Sequence, residues 1–331
     1  MILSAFCPLT PRPLPHKVGP RITMFAPRPI FLFACCALIL SAPAGAFAQK
    51  NQIFVTASLT DRRGLFIEDL DRQEIQILEG GQPRRVEFIA REEVPTVYGI
   101  LFDHDLVQEE SNQHWGSRLD VSNTNAAKNF AYQLIDKYVG RQTVWVGLYD
   151  RELQVTLDFS TDGFRSKEAI QHMSAGRTTR ETFLYSALYS SVMRMKDRNE
   201  KRRVLLLFLN LVDSETASKL KPLRNLLSSS NVELFIVTFA SQLGSGQGLS
   251  SMSRSALNEL AQATAGEMFL AGDYRDHPDD ITQHIYNQLR TFYTFGFESE
   301  SASDAPAKLT IRCTRPGSKV KCHPTVPVVL P

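Results

Sequence analysis

The chain has 331 residues, of which 43% are hydrophobic, and it carries 37 Lys and Arg against 35 Asp and Glu. This length and composition suit a folded protein with a sizeable core and room for two domains. The first 48 residues contain four basic residues and no acidic ones. The rest of the chain therefore has 33 basic and 35 acidic residues and a formal charge of −2. No Lys/Arg stripe remains on a predicted face, which excludes a nucleic-acid partner.

The N-terminal 48 residues have the pattern of a secretory signal peptide. An apolar run over residues 30–40 follows Arg28 and leads to the small-x-small sequence Ala46-Phe47-Ala48. The run is too short to cross a membrane, so we expect cleavage before Gln49 and no membrane span afterwards. Met24 is an alternative start of translation. A lipoprotein anchor at Cys35 is the competing interpretation, but this cysteine lies inside the apolar run rather than after it.

Residues 49–93 are predicted to form a β segment. Ile53, Val55, Ala57 and Leu59 alternate with polar or small residues, which is the period of a half-buried strand. Further strands are predicted over residues 74–78 and from Val86 to Ala90, with turns between them.

Residues 94–290 show strands that alternate with amphipathic helices. Because the strands are apolar without strong alternation, the pattern predicts an α/β fold, a doubly wound and mostly parallel sheet with helices on both faces. The predicted strands are 96–103, 142–149, 153–159, 203–211, 232–239 and 267–270, and the helix faces include Ala127 and Phe130, Leu184 and Leu188, Leu223 and Leu227, and Ile285 and Leu289.

Residues 291–331 return to strands, over 292–297, 309–313 and 319–322. Cys313 and Cys322 are the two cysteines that remain after the leader, and one bridge between them is predicted for an exported protein. If Gly317-Ser318 is the centre of the turn, the two cysteines face each other across a hairpin at a non-hydrogen-bonded position. If Pro316-Gly317 is the centre, their side chains point to opposite faces.

The apolar run from Thr96 to Phe102 ends in Asp103 and Asp105. In open α/β sheets, ligands bind at the carboxyl ends of the strands, where these carboxylates are expected. The sequence resembles the first strand of a von Willebrand factor type A domain, which normally ends in Asp-x-Ser-x-Ser and holds a divalent metal. Here the motif reads Asp103-His104-Asp105-Leu106-Val107, so one Ser is replaced by Asp and the other by Val.

The resemblance implies a magnesium site in which Asp103, Asp105 and Thr182 supply three oxygen ligands and water completes the shell. Thr182 lies in a Thr-x-Leu-x-x-Ala-Leu context similar to that of the family's Thr ligand. The family's last ligand, an Asp, corresponds to Leu211, with Asp213 two residues further as a further candidate. Since Val107 and Leu211 cannot bind a metal, we expect no cofactor and weak or absent metal dependence. The alternative is that Asp103 accepts backbone N–H bonds in its loop while Asp105 is solvated.

Both flanks resemble a von Willebrand factor A-related family of acidobacterial exported proteins. The similar motifs are the opening Val55-x-Ala57-x-Leu59-x-Asp61-x-x-Gly64, the turn Glu79-Gly80-Gly81-Gln82-Pro83 and the strand Phe292-Tyr293-Thr294-Phe295-Gly296-Phe297. Each flank alone has too few strands to cover an apolar face, so we expect the two to join in one small accessory β domain.

The expected function is that of an exported, non-enzymatic protein-binding or scaffolding protein. Its partner would be a protein in the periplasm or at the cell surface. The alternatives are a metal-dependent adhesin that uses Asp103, Asp105 and Thr182, an assembly factor for an envelope complex, and a hydrolase. No linked nucleophile and base supports the hydrolase, and His104 is predicted to be a surface residue of a polar loop.

Overall fold

The computed structural model describes residues 51–91, 94–106, 121–138, 142–173, 183–209, 219–239, 251–271, 278–299 and 307–325. Residues 48–331 belong to one compact unit. No described helix is both long enough and apolar enough to cross a membrane.

The described strands form three sheets. The strands are β1 Asn51–Thr60, β2 Ile75–Glu79, β3 Gln82–Arg84, β4 Val86–Arg91, β5 Thr96–Asp103, β6 Thr143–Tyr149, β7 Leu153–Ser160, β8 Arg202–Leu209, β9 Glu233–Thr238, β10 Met268–Leu270, β11 Tyr293–Ser299, β12 Leu309–Cys313 and β13 Lys319–Cys322. The six-stranded sheet has the order β10-β9-β8-β5-β6-β7, the four-stranded sheet the order β13-β1-β11-β4 and the three-stranded sheet the order β12-β2-β3.

The six-stranded sheet confirms the predicted doubly wound α/β fold. Its strands are parallel except for β7, which pairs antiparallel with β6 at one edge. The observed strands agree with the predicted ones to within two residues at each end, because uninterrupted apolar runs mark strands that are buried on both faces. The helices between them are α1 Val121–Tyr138, α2 Gly163–Gln171, α3 Leu184–Lys196, α4 Leu220–Ser230, α5 Ser251–Gln262 and α6 Pro278–Arg290.

Strand β5 separates two apolar cores, one on each face of the sheet. Tyr98, Ile100 and Phe102 face the core shared with α1, α2 and α6, whereas Val97 and Leu101 face the core shared with α3, α4 and α5. Gly99 lies between these residues because the Trp145 indole occupies its side-chain space. A Cβ at Gly99 would lie 2.7 Å from Trp145 Cε2 and Nε1.

The two chain flanks join through strand pairing. Strand β11 pairs with β1 and β4, while β13 pairs with the other side of β1. The three-stranded sheet likewise combines β12 from the C-terminal flank with β2 from the N-terminal flank. One apolar core lies between these two accessory sheets and includes Val55, Ile77 and Phe295.

The four-stranded accessory sheet contacts the six-stranded sheet at its amino edge, which is the edge where its parallel strands begin. Asn231, just before β9, donates from Nδ2 to the Phe54 carbonyl of β1 at 3.0 Å. Lys321 of β13 donates from Nζ to the Gly266 carbonyl at 2.6 Å, and burial lowers the pKa of this lysine. These bonds join the C-terminal and N-terminal strands to the same edge.

Of the two turn centres that the sequence left open, the structure has the second, and the cysteines do not face each other across a hairpin. Ser318 N–H donates to the Arg315 carbonyl at 3.2 Å and Gly317 has φ +79°, so the turn centres on Pro316-Gly317. Beyond the turn the strands enter different sheets, since Cys313 pairs with Ile75 and Cys322 with Ala57. The Arg315 guanidinium binds Glu74 and Asp69 and so joins this turn to the N-terminal flank.

Both cysteines are free thiols in this structure. Their side chains nevertheless pack against the same apolar core between the two accessory sheets. The bridge therefore stays a prediction, and it would link the two sheets rather than the two strands of one hairpin.

Candidate functional site

The candidate site lies at the carboxyl edge of the six-stranded sheet, where β5 ends in Asp103 as predicted. All eight residues of β5 are buried, and the Asp103 side chain has 0% exposure. A carboxylate in such a place needs a partner that offsets the loss of water. Asp103 does interact with other groups of the chain.

Hydrogen bonds between the neighbouring strands and helices lie at this same carboxyl edge. Phe183, which precedes α3, donates its backbone N–H to the Asp150 carbonyl just after β6 at 2.8 Å. Phe239, just after β9, donates to the carbonyl of Leu209, the last residue of β8, at 3.1 Å. Asn123 near the start of α1 donates from Nδ2 to the Phe239 carbonyl at 3.4 Å. The strand ends and helix starts around Asp103 are therefore connected by hydrogen bonds.

Most of the predicted ligand set lies outside the described residues. Asp103 is placed, and the backbone of Asp105 forms part of a short 3₁₀ turn from His104 to Leu106, but the Asp105 side chain is outside the description. Thr182 and Asp213 lie outside the described residues, as do the replaced positions Val107 and Leu211.

The described residues do not by themselves form a magnesium shell. The Asp103 carboxylate is a hard oxygen donor that suits Mg²⁺, but Mg²⁺ requires about six oxygen ligands in octahedral array. Within the described ranges, no group of three or more His, Cys, Asp and Glu side chains is arranged to hold a metal ion.

His104 is the residue of this edge that sequence reasoning placed wrongly. Its side chain is 1% exposed rather than at the surface, and within the described part of the chain neither Nδ1 nor Nε2 has a hydrogen-bond partner. The physical reason is that the 3₁₀ turn keeps the chain inside the protein after β5, as the 2% exposure of Leu106 also shows. The adjacent strand carried the signal for this burial, since a strand that is buried at every position is seldom followed at once by solvent-exposed residues.

No family model and no curated protein matches this chain. Among solved structures it is similar to a von Willebrand factor type A protein from Catenulispora acidiphila, with 12% identity and a TM-score of 0.45 over 84% of this chain and 74% of that one. It is also similar to proximal thread matrix protein 1 from the mussel byssus, with 13% identity and a TM-score of 0.47 over 65% of this chain. A third is the von Willebrand factor domain of a type V pili tip protein from Porphyromonas gingivalis, with 8% identity and a TM-score of 0.40 over 59% of this chain and 96% of that one.

This chain spans 50% of the mussel protein's length. The identities of 8–13% and TM-scores below 0.5 restrict these similarities to the fold. The strand order of this chain, the helices on both faces and the β5 sequence ending in Asp103 give it a von Willebrand factor A-like fold.

Proposed function

We propose that this chain is an exported, non-enzymatic protein-binding or scaffolding protein of the cell envelope. Its partner, a protein in the periplasm or at the cell surface, would meet the loops at the carboxyl edge. This orientation is supported by the position of the four-stranded accessory sheet, which lies at the amino edge of the six-stranded sheet, opposite to the carboxyl edge. Its described hydrogen bonds, from Asn231 to Phe54 and from Lys321 to Gly266, lie at the amino edge. No described accessory strand pairs with residues at the carboxyl edge.

Export is part of the same proposal and rests on the sequence pattern of residues 1–48. The apolar run and the Ala46-Phe47-Ala48 sequence favour cleavage before Gln49. Mass determination of the protein recovered from the envelope tests this point, because an intact leader would contradict it.

A metal-dependent adhesin remains the second candidate. The observation that favours it is the fully buried Asp103 carboxylate at the end of β5. In that case Asp103, Asp105 and Thr182, with Asp213 as a further donor, would hold Mg²⁺. We favour weak or absent metal dependence, because the residue types at Val107 and Leu211 offer no ligand atoms.

Affinity capture tests the proposed binding edge. The chain from Gln49 onward is immobilised and exposed to envelope extract, with and without EDTA, beside the triple variant Asp105→Ala/Thr182→Ala/Asp213→Ala. A control variant, Asp136→Ala/Lys167→Ala, removes an exposed ion pair between helices α1 and α2. We expect one partner to be retained by the wild type and the control, to be lost from the triple variant and to survive EDTA. Equal retention by all three forms would contradict the proposal, and loss in EDTA would favour the adhesin.

A further inference from the structure

Helices α3 and α4 lie side by side over one face of the six-stranded sheet and share the apolar core beneath them. The structure describes both helices over their whole lengths, and neither contains an Asp or a Glu. Each of the helices α1, α2, α5 and α6 contains at least one acidic residue. The outer surface of α3 and α4, here the α3/α4 face, therefore has no carboxylate of its own to offset its cations.

The basic residues of the α3/α4 face differ in whether a neighbouring element neutralises them. They are Arg194 and Lys196 on α3, Lys219 just before α4, and Lys221 and Arg224 on α4. Arg194 pairs with Asp158 of β7, and Arg224 pairs with Glu259 of α5. The exposed Asp197, which follows α3 at the amino edge, is close to Lys196 in sequence. The positive charge is therefore concentrated at the other end of the face, where Lys219 and Lys221 begin α4.

The acidic turn between β6 and β7 lies on the other side of α3. Phe183 donates its backbone N–H to the Asp150 carbonyl, so this turn adjoins the start of α3. Helix α3 packs between the edge strand β7 and helix α4, which places Asp150 and Glu152 on the β7 side. These carboxylates therefore do not separate Lys219 from the rest of the α3/α4 face.

Two tyrosines lie beside these lysines. Tyr185 and Tyr189 are one turn apart on α3, and their rings stack with centroids 6.5 Å apart. The Lys219 ammonium lies 4.9 Å from the centre of the Tyr185 ring, which joins the first turns of α3 and α4. Tyr189 is 43% exposed. Tyrosine is common among the residues that dominate the binding energy of protein interfaces, because its ring buries a large area and its hydroxyl can hydrogen-bond. This end of the face therefore combines aromatic surface with positive charge.

The size of the α3/α4 face indicates how a partner would use it. Helix α3 has 13 residues and is about 20 Å long at 1.5 Å per residue. Packed helices lie about 8–10 Å apart, so the two helices present roughly 400 Å², about half of the 800 Å² that each partner contributes to a standard interface. A stably bound partner would therefore need a second surface. The carboxyl edge of the sheet adjoins the face, since α3 begins there beside Asp150.

The residue types favour an acidic protein segment over a lipid surface or a nucleic acid. Phosphate groups are recognised well by the planar fork of donors of an arginine, but Arg194 and Arg224 already bind carboxylates. Helices that lie in a membrane surface insert Trp, Phe or Leu side chains, whereas the exposed ring of this face, Tyr189, carries a hydroxyl. Lysines beside stacked tyrosines are complementary to carboxylates that alternate with apolar side chains.

We propose that the α3/α4 face binds an acidic segment of the partner protein. Carboxylates of this segment would lie near Lys219 and Lys221, and an apolar side chain of the segment would pack against Tyr189. The inference rests on the proposed function, because it names the chemistry of the partner that meets the adjoining carboxyl edge.

Fluorescence anisotropy with the chain from Gln49 onward tests the charge preference. The probe is a fluorescein-labelled peptide of three Glu-Asp-Leu-Gly repeats, and the matched control peptide has Gln and Asn in place of Glu and Asp. We expect saturable binding of the acidic peptide and at least about tenfold weaker binding of the control peptide. The acidic complex should weaken as NaCl is added, because salt screens exposed charges.

Two results with these probes would overturn the proposal. One is the absence of saturable binding of the acidic peptide, or equal binding of the two peptides. The other is stronger competition by phosphatidylglycerol vesicles or by single-stranded DNA than by unlabelled acidic peptide, which would assign the face to phosphate groups.

Variants assign the binding to the α3/α4 face. Tyr189→Ala/Lys221→Gln should weaken binding of the acidic peptide about tenfold. Both positions are exposed, so we expect an unchanged fold, which thermal unfolding checks. The matched control is Phe164→Ala/Arg165→Gln, which removes an exposed ring and an exposed cation from α2 and should leave the affinity unchanged.

A charge reversal gives a second measurement at one exposed position. Lys221→Glu should weaken binding of the acidic peptide more than Lys221→Gln does, because like charges repel. An unchanged affinity in Tyr189→Ala/Lys221→Gln, or an equal loss in the α2 control, would overturn the proposal.

Capture from envelope extract separates this inference from the proposed function. If the triple variant of the carboxyl edge loses the partner while Tyr189→Ala/Lys221→Gln retains it fully, the proposed function stands and the inference is overturned. Loss of the same partner from both variants, together with its displacement by the acidic peptide, would support both.

Discussion

Arg202 and Glu233 form a buried bidentate ion pair between the amino ends of neighbouring strands β8 and β9. Arg202 Nε lies 3.0 Å from Glu233 Oε1, and Arg202 Nη2 lies 2.7 Å from Glu233 Oε2. The guanidinium also donates to the Leu289 carbonyl at 2.6 Å and lies over the Phe292 ring. One side chain therefore connects two strands of the α/β sheet to the end of α6 and the start of β11.

Loss of the Glu233 charge should destabilise the fold strongly. In Glu233→Gln the Arg202 charge stays buried without its carboxylate, so we expect the free energy of unfolding to fall by about 3–5 kcal/mol. Urea denaturation measures this change. The matched control is Glu259→Gln, which breaks the half-exposed pair with Arg224 and should cost no more than about 1 kcal/mol. Similar losses in the two variants would contradict the assigned role of the buried pair.

His323 should make the free energy of unfolding depend on pH, at pH values above those at which carboxylates titrate. Its side chain is fully buried, and burial lowers the pKa of the imidazole more than the nearby Glu233 raises it. The unfolded chain then binds the proton more readily than the folded chain, with an ordinary pKa of about 6.5. The contribution of this histidine to the free energy of unfolding is therefore fully present above about pH 6.5 and is lost as the pH falls below that value.

Urea denaturation between pH 7.5 and pH 5 tests this prediction. We expect the free energy of unfolding to fall over that range in the wild type, and the slope to decrease in His323→Gln. His284→Gln is the control, because His284 is 46% exposed. An identical slope in the wild type and His323→Gln would contradict the prediction.

Gly266 should tolerate no side chain. A Cβ there would lie 1.9 Å from the Leu234 carbonyl oxygen, which belongs to the backbone of β9 and cannot rotate away. Gly296→Ala is the comparison, since its closest contacts would be longer, at 2.9 Å to the Phe88 Cβ and 3.0 Å to Phe54 Cε1. We expect Gly296→Ala to cost about 1–3 kcal/mol and Gly266→Ala to cost more, as measured by thermal and urea unfolding. A larger loss in Gly296→Ala than in Gly266→Ala would show that Gly266 does not lie close to the Leu234 carbonyl in solution.

Magnesium should bind weakly or not at all. Calorimetric titration of metal-stripped protein measures the affinity, and Asp103→Ala should change stability more than it changes metal affinity because the carboxylate is fully buried. A saturable site tighter than roughly 100 μM, about −5.5 kcal/mol, would contradict this prediction if Asp103→Ala or Asp105→Ala abolished it.

The predicted bridge between Cys313 and Cys322 is tested by counting thiols in protein purified without reductant. A bridge should add about 2–3 kcal/mol of stability by the chain-entropy estimate, measured as the difference between unfolding with and without reductant. Two free thiols would rule it out. In that case Cys322 should react more slowly than Cys313, because burial raises the pKa of the Cys322 thiol.

The sequence was sufficient for the α/β sheet because the information there is local. Strands such as β5 and β8 are continuous apolar runs, and the helices between them show an apolar face every three to four residues. The end of β5 at Asp103 follows from the same pattern, since the run stops where the carboxylates begin.

The accessory sheets depend on contacts that no local pattern encodes. Arg315 binds Glu74 and Asp69 from the other flank of the chain, and β12 and β13 belong to different sheets although they are close in sequence. The same limit applies to His104, whose burial depends on the layers packed around the turn rather than on its polar neighbours in sequence. For the candidate site, sequence reasoning could name ligand types, but their geometry depends on loops that follow separate strands.

The interwoven flanks have a consequence for how this protein matures. Strand β1 lies between β11 and β13, so the earliest described strand has no neighbour until almost the whole chain has been synthesised. Pairings between such distant segments form slowly, because the intervening chain must first be ordered. The α/β sheet, by contrast, needs only residues between Thr96 and Arg290 and can assemble earlier. Under the proposed export, folding of the accessory sheets would therefore be the final step, after the C-terminal flank has left the translocation channel.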